Sequence, residues 1–226
     1  MRPSRRRSGL NCNFLCRLLA STLALAATGC GAMVARDAGE RQRRPRVERF
    51  FDADARVILI AVRAQRGREP EARALALLAE RLRERTGKAI GFAMGGDAAS
   101  APDPLEVERA NPALVGLRVS YEARSPSGLR GLCEDRDLHM YMDQIRDEAR
   151  LWITGATIER TVLVHEAGHA IGLNHCTRPD CVMYKPRPED GVWDWRMVLA
   201  NLAPALFLGR IPDDFCALCR RDLGDD

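Results

Sequence analysis

The chain has 226 residues, 46% of them hydrophobic, which suits one domain with a substantial core rather than a string of domains. Its formal charge of +4 arises in the first 29 residues, where Arg2, Arg5, Arg6, Arg7 and Arg17 stand without a single acid. The remainder is close to neutral, so there is no basic field to draw a nucleic acid, and none is expected as a partner.

In chain order, the arginines lead into an apolar run from Leu18 to Ala27 and then Thr28-Gly29-Cys30. A basic stretch, a short apolar run and small residues make an export signal, and the run is too short to span a bilayer. "LAATGC" resembles the lipobox of bacterial lipoproteins, with Ala27 where leucine is more usual. The resemblance implies cleavage after Gly29, a diacylglycerol on Cys30, and a place in the cell envelope, lipid-anchored at a bacterial membrane. The expected organisation is a signal peptide over 1–29, a lipidated flexible tether over 30–50 and a folded domain over 51–226. "RDAGERQRRPRVER", Arg36 to Arg49, fits the tether because it has no apolar period and many charges.

"RVILIAVR" (Arg56 to Arg63) is a β-rich apolar run and reads as a buried strand. Glu69 to Thr86 follows as a helix, with Leu75, Leu78 and Leu82 on one face and Gly87 as its stop. Three further strands are expected over Ala89–Gly96, Leu114–Tyr121 and Leu138–Asp143. A short helix is expected over Asp147–Trp152 and a longer one over Thr157–Ile171, ended by Gly172.

Three of the four histidines fall in "HEAGHAIGLNH", residues 165–175. On a helix His165 and His169 are four apart and share a face. Gly172 can end the helix in a left-handed conformation, so that the chain turns back and presents His175. Three imidazoles leave the fourth position of a zinc ion open, as a catalytic site requires. Glu166, beside the first histidine, is the expected general base for a water that the zinc acidifies.

The spacing HExxHxxGxxH is that of the metzincin clan of zinc metallopeptidases, which the chain resembles here. The resemblance implies an α+β fold: a twisted mixed sheet, a backing helix, an active-site helix and a cleft floored by zinc, with a methionine in a tight turn beneath the metal. Met183 takes that place. Met183-Tyr184 also resembles the matrixin peptidases, whereas Cys176 and Cys181, with Cys216 and Cys219 in "FCALCRR", resemble the archaemetzincins. In that family the four cysteines hold a second, structural zinc. The departure is a wider interval between Met183 and Cys216, filled by a segment from about Val192 to Leu208 that reads as an added amphipathic helix, packed on the core, lining the cleft or touching the membrane.

The cysteines leave two readings open, since export places them where paired thiols commonly oxidise. Cys176 with Cys181 and Cys216 with Cys219 make either one tetrahedral thiolate site or two local disulfides. Cys133 is expected to be a buried thiol. His139, in the last strand before the active-site helix, is expected at the core edge; its strand is also a candidate for pairing with a substrate backbone. Tyr184 adjoins Met183 and is not assigned to the catalytic set. The sequence thus predicts a peptidase acting on peptides or proteins, with a zinc-carrying lipoprotein module without turnover as the rival.

Overall fold

A computed structural model describes residues 47–95, 103–147, 149, 154–178, 180–184 and 212–223. β1 (Val57–Ala64) lies between two parallel neighbours, β2 (Ala89–Gly95) and β3 (Leu114–Glu122). β3 pairs in parallel with β5 (Asp137–Tyr141), and β5 pairs antiparallel with the short outer strand β4 (Gly131–Glu134). The sheet order is therefore β2-β1-β3-β5-β4, a mixed sheet as expected.

Alternation decides which face is covered. Ile58, Ile60 and Val62 on β1 lie opposite Val115, Leu117 and Val119 on β3, and all six are buried in one cluster with Leu78, Leu82 and Leu163. Each such side chain contributes about 1.5–3 kcal/mol by leaving water. Two helices supply the other half of that core. α1 (Ala72–Thr86) runs between β1 and β2 and stops at Gly87, whose φ of 68° lets its N–H reach the Arg83 carbonyl. The longer α4 (Gly155–Ala170) begins where the Thr154 hydroxyl accepts from the Thr157 N–H, two residues before the expected start.

α4 is buried almost all round. Ile158, Leu163 and Ala167 face the main core; Val164 faces a smaller cluster of Leu173, Val182, Met183, Phe215 and the cysteines. A helix apolar on every side needs cover on every side, and the cysteine-bearing tail provides what the sheet does not. That tail ends in α5 (Ala217–Asp222).

Several expectations shift. The strand expected over Leu138–Asp143 stops at Tyr141, where Met142 opens α3 (Met142–Asp147); of the helix expected over Asp147–Trp152 only residues 147 and 149 are described, and the rest lies outside the described residues. Met142 and Ile145 are buried in the core, and that anchorage ends the strand and starts the helix. β5 is interior; the outer strand is β4, which has no alternating pattern long enough to read from sequence. α2 (Pro104–Ala110) was also unforeseen, although Asp103 caps it by accepting from the N–H groups of Leu105 and Glu106. The folded part reaches back to Val47, and Phe50, within the expected tether, is fully buried.

The β4–β5 turn is pinned from outside the sheet. Asp135 adopts a φ of 58° there, and the buried Arg136 guanidinium pairs with Glu108 on α2 while lying 5.4 Å from the centre of the Phe50 ring. Glu108 also accepts from the Gly116 N–H at 2.8 Å. The expected leader over 1–29, Cys30, the part of the expected tether before Val47 and the 192–208 segment lie outside the described residues.

Candidate metal centres

The two helical histidines have their tautomers set by the backbone. His165 Nδ1 is 2.7 Å from the Val182 carbonyl and His169 Nδ1 is 2.8 Å from the Leu173 carbonyl. A carbonyl only accepts, so both Nδ1 atoms carry the proton and both Nε2 atoms present lone pairs. Those two Nε2 atoms face one another at 3.2 Å. Lone pairs that close repel unless a proton or a cation lies between them, and the edge of a tetrahedron of zinc–nitrogen bonds is about 3.4 Å.

His175 completes the group. After Ala170 the chain turns at Gly172, φ 99°, where the Leu173 N–H returns to the Gly168 carbonyl at 2.8 Å. The His175 ring centre then stands 5.2 Å from that of His165 and 4.7 Å from that of His169. One nitrogen from each of the three lies within 4.8 Å of the others. Hydrogen-bonded second nitrogens, as on His165 and His169, are what hold metal-ligating imidazoles in place.

Glu166 is 3% exposed. Burial pushes its carboxyl up from an ordinary 4.5 to about 8 in this metal-free chain, against the opposing pull of a hydrogen bond from the Cys133 backbone. Oε2 is buried without a hydrogen-bond partner among the described residues. A carboxyl placed in this way, next in sequence to a candidate metal ligand, suits proton transfer better than structural pairing.

Met183 lies beneath. The Tyr184 N–H closes a turn on the Cys181 carbonyl at 3.0 Å, with Val182 and Met183 at its centre. The fully buried Met183 side chain packs on Gly168 of α4, where any β-carbon would collide with its sulfur.

The four cysteines gather beside this turn, again within 4.8 Å. Cys181 Sγ is 3.6 Å from Cys219 Sγ, and Cys216 Sγ is 3.8 Å from Cys219 Sγ. These separations far exceed a disulfide bond, and the thiols are unbridged. They match the edge of a zinc–thiolate tetrahedron, about 3.8 Å. Burial pushes Cys176 up to about 12 and raises Cys219 too, helped by the nearby Cys181 charge; at Cys216 hydrogen bonds from the Cys219 backbone and the neighbouring thiols outweigh burial and lower it. Thiols raised in this way ionise together only with a cation among them. Both donor sets therefore fit a metal of zinc type.

The remaining candidates stand apart. Cys133 is buried, its Sγ donating to the Asp135 carbonyl at 3.4 Å. His139 pairs with Glu122 at 2.7 Å on the sheet and does not join the metal group. The sequence reading missed the Val182 and Leu173 carbonyls, which no side-chain motif can announce, and the part played by β4 beside Glu166.

Comparison with known proteins adds two likenesses. Residues 134–189 match the family model described as Matrixin, which belongs to the clan that the histidine spacing indicates. Among solved structures, the chain is similar to archaemetzincin from Methanopyrus kandleri, at 18% identity over 76% of this chain and 95% of that one, with a TM-score of 0.45. No curated protein matches.

Proposed function

We propose that this chain is a zinc-dependent peptidase, with His165, His169 and His175 as the ligands of a catalytic zinc and Glu166 as general base. The observation that carries the reading is the pair of facing Nε2 atoms on His165 and His169, with the buried Glu166 following His165 in sequence and keeping Oε2 without a hydrogen-bond partner among the described residues. The matrixin-like segment, which contains all four residues, supports it. Zinc bound there supplies a Lewis acid that acidifies a water and polarises a peptide carbonyl. Glu166 takes a proton from the attacking water and returns it to the departing amine. The Val182 and Leu173 carbonyls keep the two helical imidazoles in the tautomer that ligates. Met183 transfers no proton and shapes the floor.

We assign a second, structural zinc to Cys176, Cys181, Cys216 and Cys219, and an exported, lipid-anchored position through Cys30 to the chain as a whole, with peptide or protein as substrate. A zinc module without turnover has no use for a buried carboxylate beside an open ligand position, which burial makes unfavourable to ionise. The test separates binding from chemistry. Glu166→Ala should keep the histidine-bound zinc while cleavage of a peptide library falls about 10²-fold or more. His169→Ala should lose that zinc and activity together. Full zinc loading with no chelator-sensitive cleavage in the wild type would overturn the peptidase reading.

A further inference from the structure

Gly131 lies in the outer strand β4, opposite Met140, and is buried. Its φ is not among the positive ones, so an alanine could adopt its backbone; what an alanine lacks there is room. A β-carbon at Gly131 would lie 2.6 Å from Val162 Cγ1 and 2.9 Å from both Cγ and Oε1 of Glu166, well inside a normal carbon contact of about 3.5–4.0 Å. Val162 and Glu166 are four apart on α4 and share a face. Glycine otherwise weakens a strand interior and marks a close approach. Two residues along, Cys133 lies on the same face of β4, and its backbone hydrogen-bonds the Glu166 carboxylate.

We propose that Gly131 is a positioning residue for Glu166: the absent side chain lets the carboxylate settle between strand and helix, within reach of the Cys133 N–H and with Oε2 kept free of protein partners. The inference rests on reading Glu166 as the base. It makes β4 part of the catalytic machinery through its backbone and its emptiness, with no reactive side chain.

The test uses the zinc-loaded protein. Gly131→Ala should keep its zinc, hold KM within about three-fold and lose about 10- to 100-fold in kcat, as a misplacement of roughly 1 Å does. In a Glu166→Ala background the same change should cost nothing further, because a residue that acts only through Glu166 is silent once the carboxylate is gone. Independent, multiplying losses would overturn the proposal, as would wild-type kcat in Gly131→Ala. Should Gly131→Ala fail to fold, the pair Gly131→Ala with Val162→Ala removes the nearest contact and leaves those to Glu166; it should fold and stay slow, and full turnover in it would show that the glycine only makes room for Val162. A crystal structure of that pair gives a readout without turnover: the Glu166 carboxylate should be displaced and parted from the Cys133 N–H, and an unmoved carboxylate overturns the proposal. Absence of cleavage by the wild type would instead count against the peptidase reading alone.

Discussion

In the metal-free chain the Glu166 carboxyl is held near 8 by burial, against an ordinary 4.5, so the folded protein binds that proton more tightly than the unfolded one does. Below about pH 4.5 both states carry it and the folded state keeps its full stability; as pH rises toward 8 the unfolded state ionises first and stability drains away, and above 8 the loss is complete. The displacement corresponds to at most about 5 kcal/mol across the window. Glu166→Gln keeps the shape and can still accept from the Cys133 N–H through its amide oxygen, but it does not titrate. Urea unfolding of metal-free wild type and variant in reducing buffer, compared at matched pH, should show the variant gaining on the wild type by several kcal/mol between about pH 5 and 8. All other titrating groups are common to both proteins and cancel. Restored zinc should shrink the difference, because a nearby cation favours the ionised carboxylate. A difference that stays constant over the whole window would refute the reasoning, since it would mean that burial does not hold the proton on Glu166.

Metal analysis of protein purified without its leader should find two zinc ions per chain and four alkylatable thiols at Cys176, Cys181, Cys216 and Cys219 after chelation; one zinc with two disulfides by mass spectrometry would remove the second site. Arg136→Ala leaves the part-buried Glu108 carboxylate without its guanidinium partner and should lower unfolding free energy by about 2–3 kcal/mol in chemical denaturation, whereas a loss below about 1 kcal/mol would show the pair to be solvated. Cell fractionation should place the wild type with membranes and Cys30→Ser in the soluble fraction or unprocessed; fully soluble wild type would end the lipid-anchor proposal.

The histidine site was legible because a helix converts a sequence interval into a shared face: His165 and His169 needed only their spacing, and Gly172 announced the turn that brings His175 back. The long apolar strands β1 and β3 were legible for a similar reason, as each is buried on the core side through its whole length. β4 was not, since "GLCE" is four residues with one glycine and one exposed acid, too short for any period to show. Its place is fixed by the β4–β5 turn at Asp135 and by the Arg136–Glu108 pair, partners 28 residues apart. Helix α3 was not foreseen because Met142 looks like the end of a strand, and only burial of Met142 and Ile145 against the core makes it the start of a helix. The sequence left both readings of the cysteines open, with the zinc site ahead of the disulfides; the sulfur separations support the thiolate site, and they depend on a contact between residues 181 and 219 that no local pattern encodes.

What the folded chain adds to the motif is that its two donor clusters share one loop. His175 and Cys176 are consecutive, and Cys181, Val182 and Met183 follow one another through the turn beneath α4. The Val182 carbonyl holds the His165 imidazole, while the Val182 N–H is held by the Asp214 carbonyl at 2.9 Å, two residues before Cys216. The Cys176 N–H donates to the Met183 carbonyl at 2.9 Å, closing the loop on itself, and the Cys216 N–H reaches Cys181 Sγ at 3.3 Å. The peptide that orients the His165 imidazole is thus anchored on both sides by residues of the cysteine cluster. A loop of this kind has little regular structure of its own, so beyond the packing of Val182 and Met183 its rigidity depends on crosslinks. A cation on four thiolates provides one without the strain of bridging sulfurs that stand 3.6 and 3.8 Å apart. The physical case for a structural metal therefore comes from the needs of the histidine site: an imidazole ligates well only if its far nitrogen is held still, and here what holds it is the cysteine loop.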